Sequence, residues 1–100
     1  MLDDHVPNDV NFADFAKRQG SLPNFRPLHG AQAIEILNLI QATEALGDSV
    51  LRYARTGQMD RETANDMLGR LLKCYSEPLA NSREIARVKI EARSWNRCGH

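Results

Sequence analysis

Apolar residues recur three and four positions apart along most of this chain, and no stretch alternates apolar and polar for long enough to make a strand. The clearest case is Ala64, Met67, Leu68, Leu71, Leu72 and Tyr75, which fall at i, i+3, i+4, i+7, i+8 and i+11 and so share one face of a 3.6-residue helix. A helix with one apolar stripe must bury it against another element, so this periodicity restricts the chain to helix packed on helix. The expected class is all-α, a compact bundle of four or five helices in a single domain over residues 1–100.

Local signals place the boundaries. A first helix is expected from about Asn11 to Arg18, with Asn11 as cap, Asp14 near the positive end of the helix dipole and Gly20 at the end. Its apolar face is Phe12, Phe15 and Ala16. Residues 19–30 contain Gly20, Ser21, Pro23, Pro27 and Gly30. Prolines remove backbone donors and push their predecessors to extended conformations, so this is a connector, with Phe25 and Leu28 holding it on the core. The second helix is expected from Ala31 to about Arg55. Ile34, Ile36, Leu37, Leu39 and Ile40 make its first half apolar around much of its circumference, which predicts a buried, central segment. Gly47-Asp48-Ser49 reads as a stop and restart, giving a kink or two helices, and Gly57 closes the region. Asp60 caps the third helix, which Pro78 limits. Asn81 with Glu84 predicts a capping box for the last helix, where Ile85, Val88, Ala92 and Trp95 fall at heptad-like spacing.

Catalytic and metal chemistry find little to work with. His5, His29 and His100 stand apart, no pair is spaced for a helix-borne metal site, and neither metal nor cofactor is expected. Cys74 reads as a small core hydrophobe and Cys98 as a tail residue, both reduced. There is no GxSxG elbow and no phosphate-cradling glycine motif. Glu62 and Asp66 at i, i+4 read as a solvated pair neutralised by Arg61 and Arg70. The expected function is therefore non-enzymatic. No apolar run approaches the roughly 20 residues that span a bilayer. The opening Met1-Leu2-Asp3-Asp4 has no basic n-region, so a cytoplasmic location is expected, that of the host cell if the protein is phage-encoded.

What remains is charge. Thirteen basic and thirteen acidic residues cancel overall, yet they are segregated. The first sixteen residues hold Asp3, Asp4, Asp9 and Asp14 with no Lys or Arg, whereas residues 81–100 hold Arg83, Arg87, Lys89, Arg93 and Arg97 against Glu84 and Glu91. Such asymmetry bears on partners. In the head, acids interleave with Val6, Val10, Phe12 and Phe15, so it can dock in a basic, nucleic-acid-binding groove with carboxylates in place of phosphates. The plain structural account of the same head folds its phenylalanines onto the core. In the tail, the plain account is a terminal helix whose arginines keep its outer face wet.

Two resemblances give these poles a direction. Asn81-Ser82-Arg83-Glu84-Ile85-Ala86-Arg87 resembles the entry into the helix-turn-helix of bacterial response-regulator DNA-binding domains, with Lys89-Ile90-Glu91 standing where that family has its glycine-containing turn. It implies a small DNA-binding regulator or antitoxin reading through Arg83, Arg87, Arg93 and Arg97. In length, helicity, lack of catalytic motifs and its acid-plus-aromatic head, the whole chain resembles anti-CRISPR inhibitors of phages and mobile elements. That resemblance implies a partner that is a large host protein or ribonucleoprotein, a CRISPR effector complex, whose recognition of target DNA is blocked without turnover. The expected contact residues are Asp3, Asp4, Asp9, Phe12 and Asp14 in the head, with Asn24 and Arg26 in the connector.

Overall fold

The computed structural model describes residues 10–23 and 30–98, without the side chains of residues 96–98. Among the described residues there are four helices and no strand: α1 (Phe12–Arg18), α2 (Gly30–Arg55), α3 (Arg61–Ser76) and α4 (Ser82–Cys98). They form an all-α helical bundle.

A helix of seven residues is too short to persist alone. α1 is held first at its N-terminus, where Asn11 is extended (φ −97°, ψ 171°) and its Oδ1 accepts the Asp14 N–H at 2.8 Å. A second acceptor comes from α2: the Phe12 N–H donates to Asp48 Oδ1 at 2.7 Å. Two of the four orphan donors of this helix end are thus satisfied, one locally and one across the molecule. Phe12, Phe15 and Ala16 are all buried. Asp48→Ala is expected to lower stability by about 1 kcal/mol, read as a lower urea midpoint at unchanged slope, while Asp48→Asn, which keeps an oxygen acceptor, retains most of it.

Gly47 does not divide the helix in two, because α2 runs unbroken for 26 residues. Glycine here answers a packing demand. A Cβ at position 47 would overlap Cβ, Cγ and Cδ1 of Phe12, so only a bare Cα lets that ring lie against the helix. The ring also meets Tyr75 edge to face at 5.4 Å and 79°, which places Phe12 between α2 and α3.

The first half of α2 is not buried all round either. At 1.5 Å per residue α2 is about 39 Å long, against about 24 Å for the 16 residues of α3. Tyr75, near the end of α3, donates its hydroxyl to Glu44 at 2.6 Å, halfway along α2. The first turns of α2 therefore run past the end of α3. Ile36 and Ile40 are still covered, whereas Ile34 is 66% and Leu37 44% exposed.

α2 reverses into α3 through Gly57, whose φ of +82° is a left-handed conformation that suits glycine. Buried Met59 closes that end, with its N–H donating to Tyr53 O at 3.2 Å. Asp60 caps α3 with both oxygens, accepting from Thr63 N–H at 3.0 Å and from Thr63 Oγ1 at 2.7 Å. Those bonds, the hydroxyl's first, hold its carboxyl below the usual range.

Between α3 and α4 the expected capping box does not form. The Asn81 side chain turns back and donates to Glu77 O at 2.9 Å and Lys73 O at 3.4 Å, closing the C-terminus of α3. Its own N–H, which a capping glutamate would accept, already donates to Glu77 O at 3.2 Å and Pro78 O at 3.3 Å. Glu84 is drawn instead to the guanidinium of Arg70, a stronger partner than a neutral amide. Ile85, Val88 and Ala92 then bury the inner face of α4, with Trp95 half-buried against the core. No described helix is long and apolar enough to cross a membrane.

Candidate functional site

α4 carries six charged residues from Arg83 to Arg93, and the fold sorts them by sign. Arg70 on α3 is the sorting group. Its Nη1 and Nη2 donate to the two oxygens of Glu91 at 3.0 and 2.6 Å, a bidentate fork, and its Nε donates to Glu84. Asp66, one turn earlier on α3, lies 3.4 Å from Nη1. The bond to Glu91 and, less, that to Glu84 hold the Arg70 guanidinium above its ordinary range, against burial. The same fork, together with the nearby positive charge, holds the Glu91 carboxyl below its own.

Both carboxylates of this stretch are therefore turned toward α3. Arg83, Arg87, Lys89 and Arg93 remain exposed on the rest of the surface. Among the described residues no acid pairs with Arg83, Lys89 or Arg93, and Arg87 reaches only Glu84, at 3.7 Å. Ile90 sits in the middle of this face and is 69% exposed.

The helix also settles one local expectation. Lys89-Ile90-Glu91 lies inside unbroken α4, so the response-regulator-like entry at Asn81–Arg87 leads into no turn and no separate recognition helix within the described residues. Arg83, Arg87 and Arg93 share the outer surface of one helix. The Arg97 side chain lies outside the described residues.

At the other pole, Asp3, Asp4 and Asp9 lie outside the described residues, as do Asn24 and Arg26 of the connector. Asp14 is in the first turn of α1 and exposed. Phe12 cannot serve as an aromatic contact for a partner: it is fully buried, against Gly47 and Tyr75, and would have to leave the core to reach one. Where Val10 and Asn11 meet Asp48, Leu51, Arg52 and Arg55 there is an open hollow of about 170 Å³. This is smaller than the roughly 300–1,000 Å³ of sites that enclose a small ligand.

The buried titratable groups serve the fold. Burial, with the charge of Glu84 adding to it, pushes the Cys74 thiol up to about 11, and its Sγ lies 3.7 Å from Asn81 O. The nucleophilic form of cysteine is the thiolate, so at neutral pH this thiol stays protonated. His5, His29 and His100 are outside the described residues. Burial, then the bond to Glu44, holds the Tyr75 hydroxyl well above its ordinary range. Among the described residues no three His, Cys, Asp or Glu side chains gather as metal ligands do.

Arg70 and Ile90 escape a reading by motif. Glu84 and Glu91, seven apart on one helix face, were a visible signal for a cation on a neighbouring helix, and Ile90 was a visible break in a basic surface. No family model, curated protein or solved structure matches the chain.

Proposed function

We propose that this chain is a stoichiometric binding protein and not a catalyst. It acts as an inhibitor that occupies a basic, nucleic-acid-recognition surface of a large host ribonucleoprotein, in the manner its anti-CRISPR resemblance implies for a CRISPR effector complex. The observation that supports it most is where the polar chemistry goes. Arg70, Glu84 and Glu91 tie α3 to α4, Tyr75 and Glu44 tie α3 to α2, and Asp48 ties α2 to α1. Groups of the kinds that do chemistry in a cleft are here engaged in holding helices together, which leaves the outer surface as the working part. The acidic head is the part of that surface assigned to the host complex. Asp14 stands on α1, whose root is bolted to the bundle by Phe12 and Phe15, and Asp3, Asp4 and Asp9 precede that root in the chain.

Affinity capture from nuclease-treated bacterial lysate is expected to return a multi-subunit ribonucleoprotein in stoichiometric amount, and the purified effector so identified should lose target-DNA binding when the protein is added. Replacing Asp3, Asp4, Asp9 and Asp14 together by Asn should weaken capture by about tenfold or more without loss of helicity, because complementary rim charges govern encounter and register. Full inhibition by that variant would remove the head from the mechanism. Recovery of the bait alone would remove the reading.

A further inference from the structure

The outer face of α4 has a composition that a merely solvated helix face does not need. Ile90 is 69% exposed at its centre. At three and four residues from it, and so on the same face, lie Arg87, Arg93, Ala86 and Ser94, with Arg83 two turns before. The stretch from Arg83 to Arg93 is about 15 Å long at 1.5 Å per residue. Its nearest carboxylates, Glu84 and Glu91, are committed to Arg70, so the face carries one sign of charge around an apolar centre.

We infer that this face is a docking surface for an acidic amphipathic segment of another protein, with Ile90 at its centre and Arg83, Arg87 and Arg93 around it. An apolar centre inside a charged rim is the anatomy of a protein interface, and arginine is enriched among the residues that carry binding energy there. A nucleic-acid backbone matches the charges but offers nothing for Ile90 to bury against. The chain's net charge of zero also gives none of the broad basic field that nucleic-acid binding uses. The partner segment therefore carries Asp or Glu on both sides of a Leu- or Phe-sized residue, spaced to meet arginines one turn either side of Ile90. The inference does not depend on the role of the acidic head.

The test is fluorescence anisotropy with the full chain and three labelled probes: a helical glutamate-rich peptide of about 16 residues with leucines at i, i+3 and i+7, the same peptide with serines for leucines, and a DNA duplex of about 20 base pairs. The leucine peptide is expected to bind at least about tenfold more tightly than either other probe. Ile90→Ser should weaken it by about tenfold, and Arg83→Gln with Arg93→Gln should weaken it further and flatten its salt dependence. Both changes lie on exposed positions, so circular dichroism and Tm should stay unchanged and exclude misfolding as the cause. Equal binding of the leucine and serine peptides would overturn the inference, as would tighter binding of the duplex, an unaffected Ile90→Ser variant, or no peptide binding at about 100 μM. So would self-association in sedimentation that Ile90→Ser abolishes, since the face would then belong to a second copy.

Discussion

Gly47→Ala should destabilise the protein by about 1–3 kcal/mol, although the same replacement in an unobstructed helix interior stabilises by about 1 kcal/mol. The sign reverses because the new methyl group would occupy the volume of the Phe12 ring. Phe12→Ala should cost about 3–5 kcal/mol, since a fully buried ring leaves a cavity between α2 and α3 and removes the edge-to-face contact with Tyr75. The two changes are expected to be strongly non-additive. With Phe12 already truncated, Gly47→Ala meets only the Cβ that alanine keeps at position 12 and no ring, so its cost should fall well below that in the wild type. Urea denaturation of the wild type and the three variants measures the coupling. Additive losses would show that Phe12 and Gly47 do not constrain one another. The same cycle separates the two accounts of the head, because a phenylalanine that served a partner would cost little stability when removed.

Replacing Arg70 is expected to have the second large effect. Arg70→Met keeps the aliphatic stem but leaves Glu84, only a quarter exposed, and Glu91 facing each other without a cation. A loss of about 2 kcal/mol is expected for hydrogen bonds to charged groups at this partly buried site. The pH dependence identifies the cause. Glu91 has its carboxyl lowered in the folded state, from an ordinary value of 4.5. Its contribution is therefore fully present above that value and is lost as pH falls through the lower folded one. Wild-type stability should decline in this acid window more steeply than that of Arg70→Met, and the difference between the two should shrink as pH is lowered. A constant difference from pH 7 down through that window would assign the loss to packing alone. If Arg70→Met also reduces binding at the outer face of α4, the carboxylates it releases have rejoined that surface.

Much of this architecture is legible along the chain, and the particular failures share a cause. Asn11 and Asp60 cap α1 and α3 as their positions imply, and Ala64, Met67, Leu68, Leu71 and Tyr75 are buried as their spacing requires. Asn81 misleads because it satisfies the carbonyls of the helix behind it and not the amides of the helix ahead. Gly47 misleads because a glycine in a helix has two meanings, an end or a close approach, and only the neighbour across the gap distinguishes them. Of the charged poles, the basic one was visible as a count, but its single-signed outer face was not, because Glu84 and Glu91 had first to be claimed by a residue on another helix. Phe12 stood at a position equally suited to core and to partner, and the core has it.

The sequence by itself determined the all-α class, the caps and the inward faces of α3 and α4, because those depend on periodicity and on hydrogen bonds spanning three or four residues. Only the tertiary structure decided which polar groups meet, as with Phe12 and Asp48, 36 residues apart, or Arg70 and Glu91, 21 apart. It also decided which apolar residues stay outside, since Ile36 and Ile40 are covered while Ile34 and Leu37, which point in other directions from the same turns of α2, are exposed. Those outcomes follow from the relative lengths, register and facing of whole helices, which no local pattern encodes.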